Sequence, residues 1–366
     1  MHKAMRFAFM CREKLGNAGS RVAIVGAGPA GLGAAGYLAC RGYEVEVYDK
    51  LPLPGGLMVF AIPPWRISKD AVLSGAKELE ESLGVKFILK TKVYLGDRIR
   101  RDEGDDFVER IMSLDKLIDE YDAVIIATGT WESKLPKLPG VESRGVTTAL
   151  AYLYKHRIYE LGLTSRRPED GKRVVVIGGG YSAIDAAEQA LNNGSYPYLV
   201  YRRTIKEAPA GVYEFMKAVS AGINVIELAS PIEIVAEGGI VKGVKFQRMK
   251  LGSLDETGRP KPIPVPGSEF FIEADTVIFA TGEAATPPFN IDEEGILNRL
   301  KIRVFKEGNI EVLKEDSSIN QKVYVAGDVA RGPSRIGPAL GMGLQVARKV
   351  DYILQARAGK LALVAR

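Results

Sequence analysis

Cysteine and histidine are nearly absent from this 366-residue chain: Cys11, Cys40, His2 and His156 are all it has. Neither cysteine belongs to a C-x-x-C pair, so a redox couple of that type is excluded, as is a four-cysteine iron–sulfur cluster within the chain. Cys40, at the end of an apolar stretch, reads as a small core residue. Two histidines are too few for an ordinary histidine-based metal site. Long apolar runs are missing too, and nothing approaches the roughly 18 residues that span a bilayer. The first 20 residues carry Lys3, Arg6, Arg12, Glu13 and Lys14, and their longest apolar run, Phe7 to Cys11, is too short for a secretory core. A soluble, cytoplasmic protein is the expectation. The net charge of +5 comes from 50 basic and 45 acidic side chains spread along the chain, which argues for a mixed surface and against nucleic-acid binding.

Glycine, by contrast, is abundant, with 40 residues. Many of them fall in a signature that occurs twice. The first copy runs Val22-Ala-Ile-Val-Gly26-Ala-Gly28-Pro29-Ala30-Gly31 to Tyr48-Asp49-Lys50, and closes at Ala127-Thr-Gly129. The second runs Val174-Val-Val-Ile-Gly178-Gly179-Gly180-Tyr181-Ser182-Ala183 to Tyr201-Arg202-Arg203, and closes at Ala280-Thr-Gly282. In each, a β-branched run makes a buried parallel strand. The first glycine permits a tight turn, the second admits a pyrophosphate, and the third small residue lets the helix pack on the strand. The pyrophosphate then meets unpaired N–H groups and the positive end of the helix dipole. Ser182 reads as a helix-start residue near a phosphate, because its surroundings lack the second glycine of a hydrolase elbow.

The copies differ where the cofactor is chosen. Asp49 lies 23 residues after Gly26, at the spacing where a carboxylate accepts hydrogen bonds from ribose hydroxyls, whereas Arg202 lies 24 residues after Gly178. An acid would repel a 2′-phosphate that two guanidiniums, Arg202 and Arg203, could clasp. The pair of copies therefore points to FAD in the first and NADP(H) in the second.

A third signal follows at Val323-Tyr-Val-Ala-Gly327-Asp328. Asp328 stands at a strand end, positioned to accept hydrogen bonds from ribityl or phosphate-side groups, and Ile336-Gly-Pro338-Ala339 opens a helix. Ala339 or Gly337 would have to supply an N–H to a flavin, since Pro338 has none. The order of these signals predicts an α/β fold of two Rossmann-like dinucleotide-binding domains. After an N-terminal arm of residues 1–20, the FAD domain is discontinuous over 21–140 and 284–366, with an NAD(P)H domain inserted at 141–283. A helix is expected near 147–161, and Val85 to Leu95 is read as one strand.

Further segments make the resemblance more specific. Pro54-Gly-Gly56-Leu57, Ile62-Pro-Pro-Trp65-Arg66-Ile-Ser-Lys69, Tyr201-Arg-Arg203, Leu251-Gly-Ser-Leu-Asp-Glu-Thr-Gly-Arg-Pro260 and Pro266-Gly-Ser-Glu-Phe270 resemble the glutamate synthase small (β) subunit family. That family is a branch of the pyridine-nucleotide-dependent flavoprotein reductases, of the adrenodoxin reductase type. The resemblance implies that Gly26, Gly28, Pro29, Ala30, Gly31, Asp49, Lys50, Gly56, Leu57, Arg66, Gly129, Gly327, Asp328, Pro338 and Ala339 meet FAD, with Val93 offering backbone groups to adenine. It implies that Gly179, Gly180, Tyr181, Ser182, Ala183, Arg202, Arg203 and Gly282 meet NADP(H). The chain departs from the family at Pro64, where an acid is common, and at Glu283, where glutamine is common. It also has only a short arm before the first strand, where the family usually carries a cysteine-rich iron–sulfur domain.

The expected activity is hydride transfer from NADPH to FAD, and on to an acceptor such as a ferredoxin or a glutamate synthase large subunit-like partner. The catalytic chemistry would belong to the flavin rather than to any named side chain, and a homo-oligomer stays open. Two other classes remain: the flavin-bearing subunit of a dye-linked amino-acid dehydrogenase, and a non-catalytic scaffold whose nucleotide sites are structural.

Overall fold

The computed structural model describes residues 5–256, 258–305, 308–313 and 321–359, so His2 lies outside it. The chain divides into two compact units, residues 1–132 with 283–366, and residues 133–282. The crossing segment that sequence assigned to the first unit up to residue 140 thus belongs to the second. Ile234 N–H donates to Pro139 O (2.9 Å) there, and a Cβ on Gly140 would lie 2.2 Å from Ile234 O.

Unit one opens with β1 (Arg21–Val25), α1 (Pro29–Cys40), β2 (Glu44–Tyr48), a short α2 (Leu57–Phe60) and α3 (Lys69–Leu83). Ser68 caps α3 by accepting from Ala71 N–H. The expected long strand to Leu95 is instead β3 (Lys86–Ile88) and β4 (Thr91–Tyr94). They are split at Lys90, whose φ of 51° turns the chain out of the sheet. After β5 (Arg110–Ser113) and α4 (Leu114–Glu120), β6 (Ala123–Ile126) returns beside β1.

Unit two builds a second parallel sheet from β7 (Val146–Thr148), β8 (Arg173–Ile177), β9 (Tyr196–Val200) and β10 (Asn224–Ile226), with α5 (Ala149–Glu160), α6 (Tyr181–Asn192) and α7 (Val212–Ser220). A three-stranded antiparallel sheet follows: β11 (Ala229–Glu237), β12 (Ile240–Leu254) and β13 (Pro260–Glu273). The strand β14 (Thr276–Phe279) then pairs with β8 and β7. Alternate residues of β8 are buried on opposite faces, Val174 and Val176 among helix residues such as Ala183 and Ala187, Val175 and Ile177 against Phe246 and Val244 of β12. Burial on both faces explains why β8 is an unbroken β-branched run. Pro260, Pro262, Pro264 and Pro266 occupy alternate positions of β13, the edge strand. Alternate N–H groups of a strand point the same way, so these prolines strip donors from one edge and guard it against pairing with another chain.

The chain then re-enters unit one through α8 (Glu294–Leu300), β15 (Val323–Val325), α9 (Asp328–Arg331) and α10 (Ile336–Arg357). Strand β15 adds beside β6, completing the order β15-β6-β1-β2-β3. Helix α10 packs along α1, and buried Asp351 joins them by accepting from Arg41 Nε (3.0 Å) and the Tyr43 hydroxyl (2.8 Å).

Several phenols ionise late for this reason. Burial first, then the hydrogen bond to Asp351, pushes the Tyr43 pKa well above its ordinary value; burial and Glu46 do the same to Tyr121, burial and Asp170 to Tyr152, and burial takes Tyr324 to about 12. A raised folded pKa means stability that is intact below the unfolded phenol value near 10 and is lost as pH rises above it. Denaturant midpoints are therefore expected to fall above about pH 10. Tyr43→Phe should make the fall shallower, and an unchanged slope would remove Tyr43 from this account.

Candidate functional site: two nucleotide cradles

In each sheet the strand that leads into the glycine loop has neighbours reached in opposite directions: β1 lies between β2 and β6, and β8 between β9 and β14. Such a switch point opens a crevice beyond the carboxyl ends of the strands, and both glycine loops sit there. Gly26 needs its φ of 110°, and a Cβ on it would lie 2.3 Å from Ala127 O. A Cβ on Gly31 would lie 1.9 Å from Gly26 O, so this glycine sets the distance between α1 and β1. Gly28 is different: a Cβ there would meet nothing within 4 Å. It borders the space in front of the α1 N-terminus, which has Pro29 in its first turn and no side-chain cap. A loop that leaves this space open beside uncapped N–H groups fits a pyrophosphate. Gly56 closes one side, where a Cβ would lie 2.9 Å from Gly28 Cα.

Asp49 is buried at the end of β2 and accepts from Ala27 N–H (2.6 Å) and Leu51 N–H (2.9 Å). Burial raises its pKa against the pull of those two donors. The remaining lone pairs of an ionised carboxylate suit ribose hydroxyls. Beside it a cavity is lined by Tyr48, Lys50, Val93, Thr128, Trp131 and Pro288, among others. Lys50 and Val93 thus line one cavity, but the Lys50 ammonium is committed to protein groups. It donates to Glu103 O (2.5 Å), pairs with Asp102 and Asp105, and lies 4.7 Å from the centre of the Trp131 ring. Burial, offset chiefly by Asp105, brings its pKa down to about 8. Neither Trp131 nor the Thr286-Pro287-Pro288 crossing segment was among the expected FAD contacts; Trp131 lies two residues after Gly129, whereas Thr286 reaches the same turn only through the fold, its hydroxyl donating to Gly129 O (3.2 Å).

Leu57 opens α2, Arg66 lies in the following half-buried turn, and Gly129 takes a φ of 77° after β6. Gly327 lies against Ala30, where its Cβ would come within 2.7 Å. Asp328 is half-buried and accepts from Ser334 N–H (3.2 Å) and Ser334 Oγ (2.5 Å). Of the two amides considered at the α10 N-terminus, Ala339 N–H is spent on Arg335 O (3.2 Å), which leaves Gly337 in the first turn, before Pro338.

The second cradle repeats the first with one shift. Gly26 N–H donates to Tyr48 O and Gly178 N–H to Val200 O, so Tyr201 occupies the place of Asp49, Arg202 that of Lys50 and Arg203 that of Leu51. Gly180 again borders open space and precedes α6, which begins at half-exposed Tyr181 with Ser182 and buried Ala183. Gly179 has a packing role of its own. A Cβ there would lie 2.4 Å from the Tyr201 ring, so this glycine admits the aromatic side chain. Gly282 is exposed at the closing turn and Arg202 is exposed beyond β9. Arg203, expected to face the phosphate, is instead 3% exposed, with Nε on Pro260 O (2.6 Å) and Nη2 on Asp255 Oδ2 (2.7 Å).

A further correction concerns the cysteines. Cys40 is not a free core residue; it is bonded to Cys11. The bond lies at the end of α1 remote from the glycine loop, about 18 Å along a helix of 12 residues. It is therefore not beside the cradle.

Residues 20–343 match the family model described as pyridine nucleotide-disulphide oxidoreductase. The chain belongs to this family. Among its relatives in the family is the NADP(+)-dependent formate dehydrogenase subunit beta of Moorella thermoacetica, 36% identical over 92% of this chain and 44% of that one. The glutamate synthase [NADPH] small chain of Halomonas elongata is 33% identical over 91% of this chain and 68% of that one. The chain thus spans less than half of the first relative and about two thirds of the second. The fold is shared with Mycobacterium tuberculosis FprA in complex with NADPH, at a TM-score of 0.70 and 19% identity over 94% of this chain and 87% of that one. Membership makes this pyridine nucleotide-disulphide oxidoreductase an NAD(P)H-dependent flavoprotein with FAD as its second cofactor. Among the described residues, no helix is long and apolar enough to cross a membrane.

Proposed function

We propose that the chain oxidises NADPH through FAD and delivers electrons to an acceptor protein or larger subunit. The observation that carries this reading is the contrast between the two cradles: a buried carboxylate, Asp49, ends β2, whereas an exposed guanidinium, Arg202, follows β9. Bound FAD supplies the chemistry, accepting hydride from the nucleotide and releasing electrons singly or in pairs. The protein's share is placement. In unit one the Gly26–Gly31 loop and the α1 N-terminus hold the pyrophosphate, and Asp49 fixes the ribose. In unit two Gly180 and the start of α6 hold the other pyrophosphate, and Arg202 selects the 2′-phosphate.

Relatives named as subunits beta of formate dehydrogenase and as small chains of glutamate synthase support a partner that takes the electrons. An anaerobic absorbance titration tests the reading. NADPH is expected to bleach the flavin band at lower concentration than NADH. A yellow protein that neither nucleotide bleaches would replace it with the dye-linked dehydrogenase subunit reading, and a colourless protein that resists reconstitution with the scaffold.

A further inference from the structure

Arg203 stands where the first cradle has Leu51, a fully buried side chain, so the backbone of the second cradle points Arg203 inward by construction. A buried guanidinium needs partners, and it finds them on the β12–β13 hairpin. Its fork takes the carbonyl of Pro260, at the start of β13, and the carboxylate of Asp255, just after β12. Asp255 also accepts from Arg259 N–H (3.1 Å), which closes the hairpin turn. Backbone bonds reinforce the same junction: Ala229 N–H reaches Tyr201 O (3.2 Å), Leu228 N–H reaches Arg203 O (3.2 Å), and Met249 N–H reaches Leu228 O (2.7 Å). The antiparallel sheet is thus tied to the two residues that flank Arg202.

We infer that Arg203 is a positioning residue for cofactor choice: it clamps the β12–β13 hairpin onto the end of β9 and so fixes the backbone from which Arg202 reaches the 2′-phosphate. This rests on the NADPH reading above. Of the paired cations, one contacts the ligand and the other holds it in place. Charge leads to the same division, because Asp255 offsets the charge of Arg203 and leaves that of Arg202 exposed for a dianion.

The sign of one substitution separates this from a direct contact. If Arg203 were a phosphate ligand held back by Asp255, Asp255→Ala would release it and raise the preference for NADP+ over NAD+. As a clamp, losing Asp255 loosens Arg202, and the preference falls. The measurement is the ratio of NAD+ to NADP+ dissociation constants for the FAD-loaded full chain and for Arg202→Ala, Asp255→Ala, Arg203→Lys and the double variant Arg202→Ala/Asp255→Ala.

Arg202→Ala is expected to lower the ratio about 10- to 100-fold, the value of a charge-assisted bond to phosphate. Asp255→Ala and Arg203→Lys should each lower it several-fold, and Asp255→Ala should have no effect on the ratio once Arg202 is gone. Equal weakening of both nucleotides would make the clamp merely structural and overturn the inference, as would a raised ratio. Arg203→Lys keeps charge and most of the volume, so it reports even where Asp255→Ala does not fold. A wild-type chain without NADP+ preference, unaffected by Arg202→Ala, is the separate failure of the NADPH reading.

Discussion

Alanine at Gly31 is expected to give a destabilised protein that no longer retains flavin, whereas alanine three residues earlier, at Gly28, should give a stable protein that binds flavin poorly. The two glycines do different work in the same loop. A Cβ on Gly31 would lie 1.9 Å from Gly26 O, and both partners are backbone, so no rotamer change relieves the clash. Overpacking a core costs about 1–3 kcal/mol when side chains can adjust. Here α1 itself must move off β1, so the loss belongs at or above the upper end. The shift carries the α1 N-terminus away from the pyrophosphate, and it also disturbs the seam with α10, where a Cβ on Gly343 would already lie 2.0 Å from Ala30 O. Gly28, with φ of −76° and nothing within 4 Å of a Cβ, accepts alanine without strain in the free protein. The added methyl fills space that only the ligand needs. Flavin content per chain and the thermal midpoint of the flavin-free protein check both halves. A Gly28→Ala protein with undiminished FAD affinity would remove that glycine from the cradle.

The sequence was most readable where function and backbone geometry coincide. Gly26, Gly31 and Gly178 occupy places where a Cβ would strike backbone, so the chain has little choice, and the repeated spacing shows it. The buried parallel strands were legible from β-branched runs for the same reason. What escaped depended on contacts that no local pattern encodes. Gly179 reads as a cofactor glycine, and the need to admit the Tyr201 ring is not visible in its spacing. Arg203 looks like half of a phosphate clasp, yet register puts it at the buried position, and its partners lie more than 50 residues on, in a hairpin whose packing no spacing announces. Lys50 likewise follows Asp49 in sequence but answers to Asp102 and Asp105 in space.

Opening the Cys11–Cys40 bond is expected to cost the protein much of its stability margin, with the loss falling on the helix that carries the flavin cradle. The N-terminal arm is built into unit one. Phe7 is fully buried, Met5 N–H donates to Ala71 O (3.0 Å), Leu15 N–H to Cys40 O (3.1 Å) and Ala18 N–H to Gly42 O (2.9 Å). Two helix glycines make room for it: a Cβ on Gly36 would lie 2.1 Å from Phe7 O, and one on Gly75 would lie 1.9 Å from Met5 O. The arm therefore crosses both α1 and α3, and Cys11 fastens it to the last residue of α1. Closing a loop across a sequence separation of 29 removes unfolded-state entropy worth roughly 3–4 kcal/mol in the chain-entropy account. Phe7→Ala, which empties a fully buried site, should cost about 3–5 kcal/mol. Because both changes release the same segment, Phe7→Ala combined with Cys40→Ser should cost less than the two losses added together. Denaturant midpoints of the four proteins give this cycle directly. A midpoint unmoved by reductant and by Cys40→Ser would mean that packing alone holds the arm, and full additivity would mean that the bond and the phenylalanine secure separate parts of it.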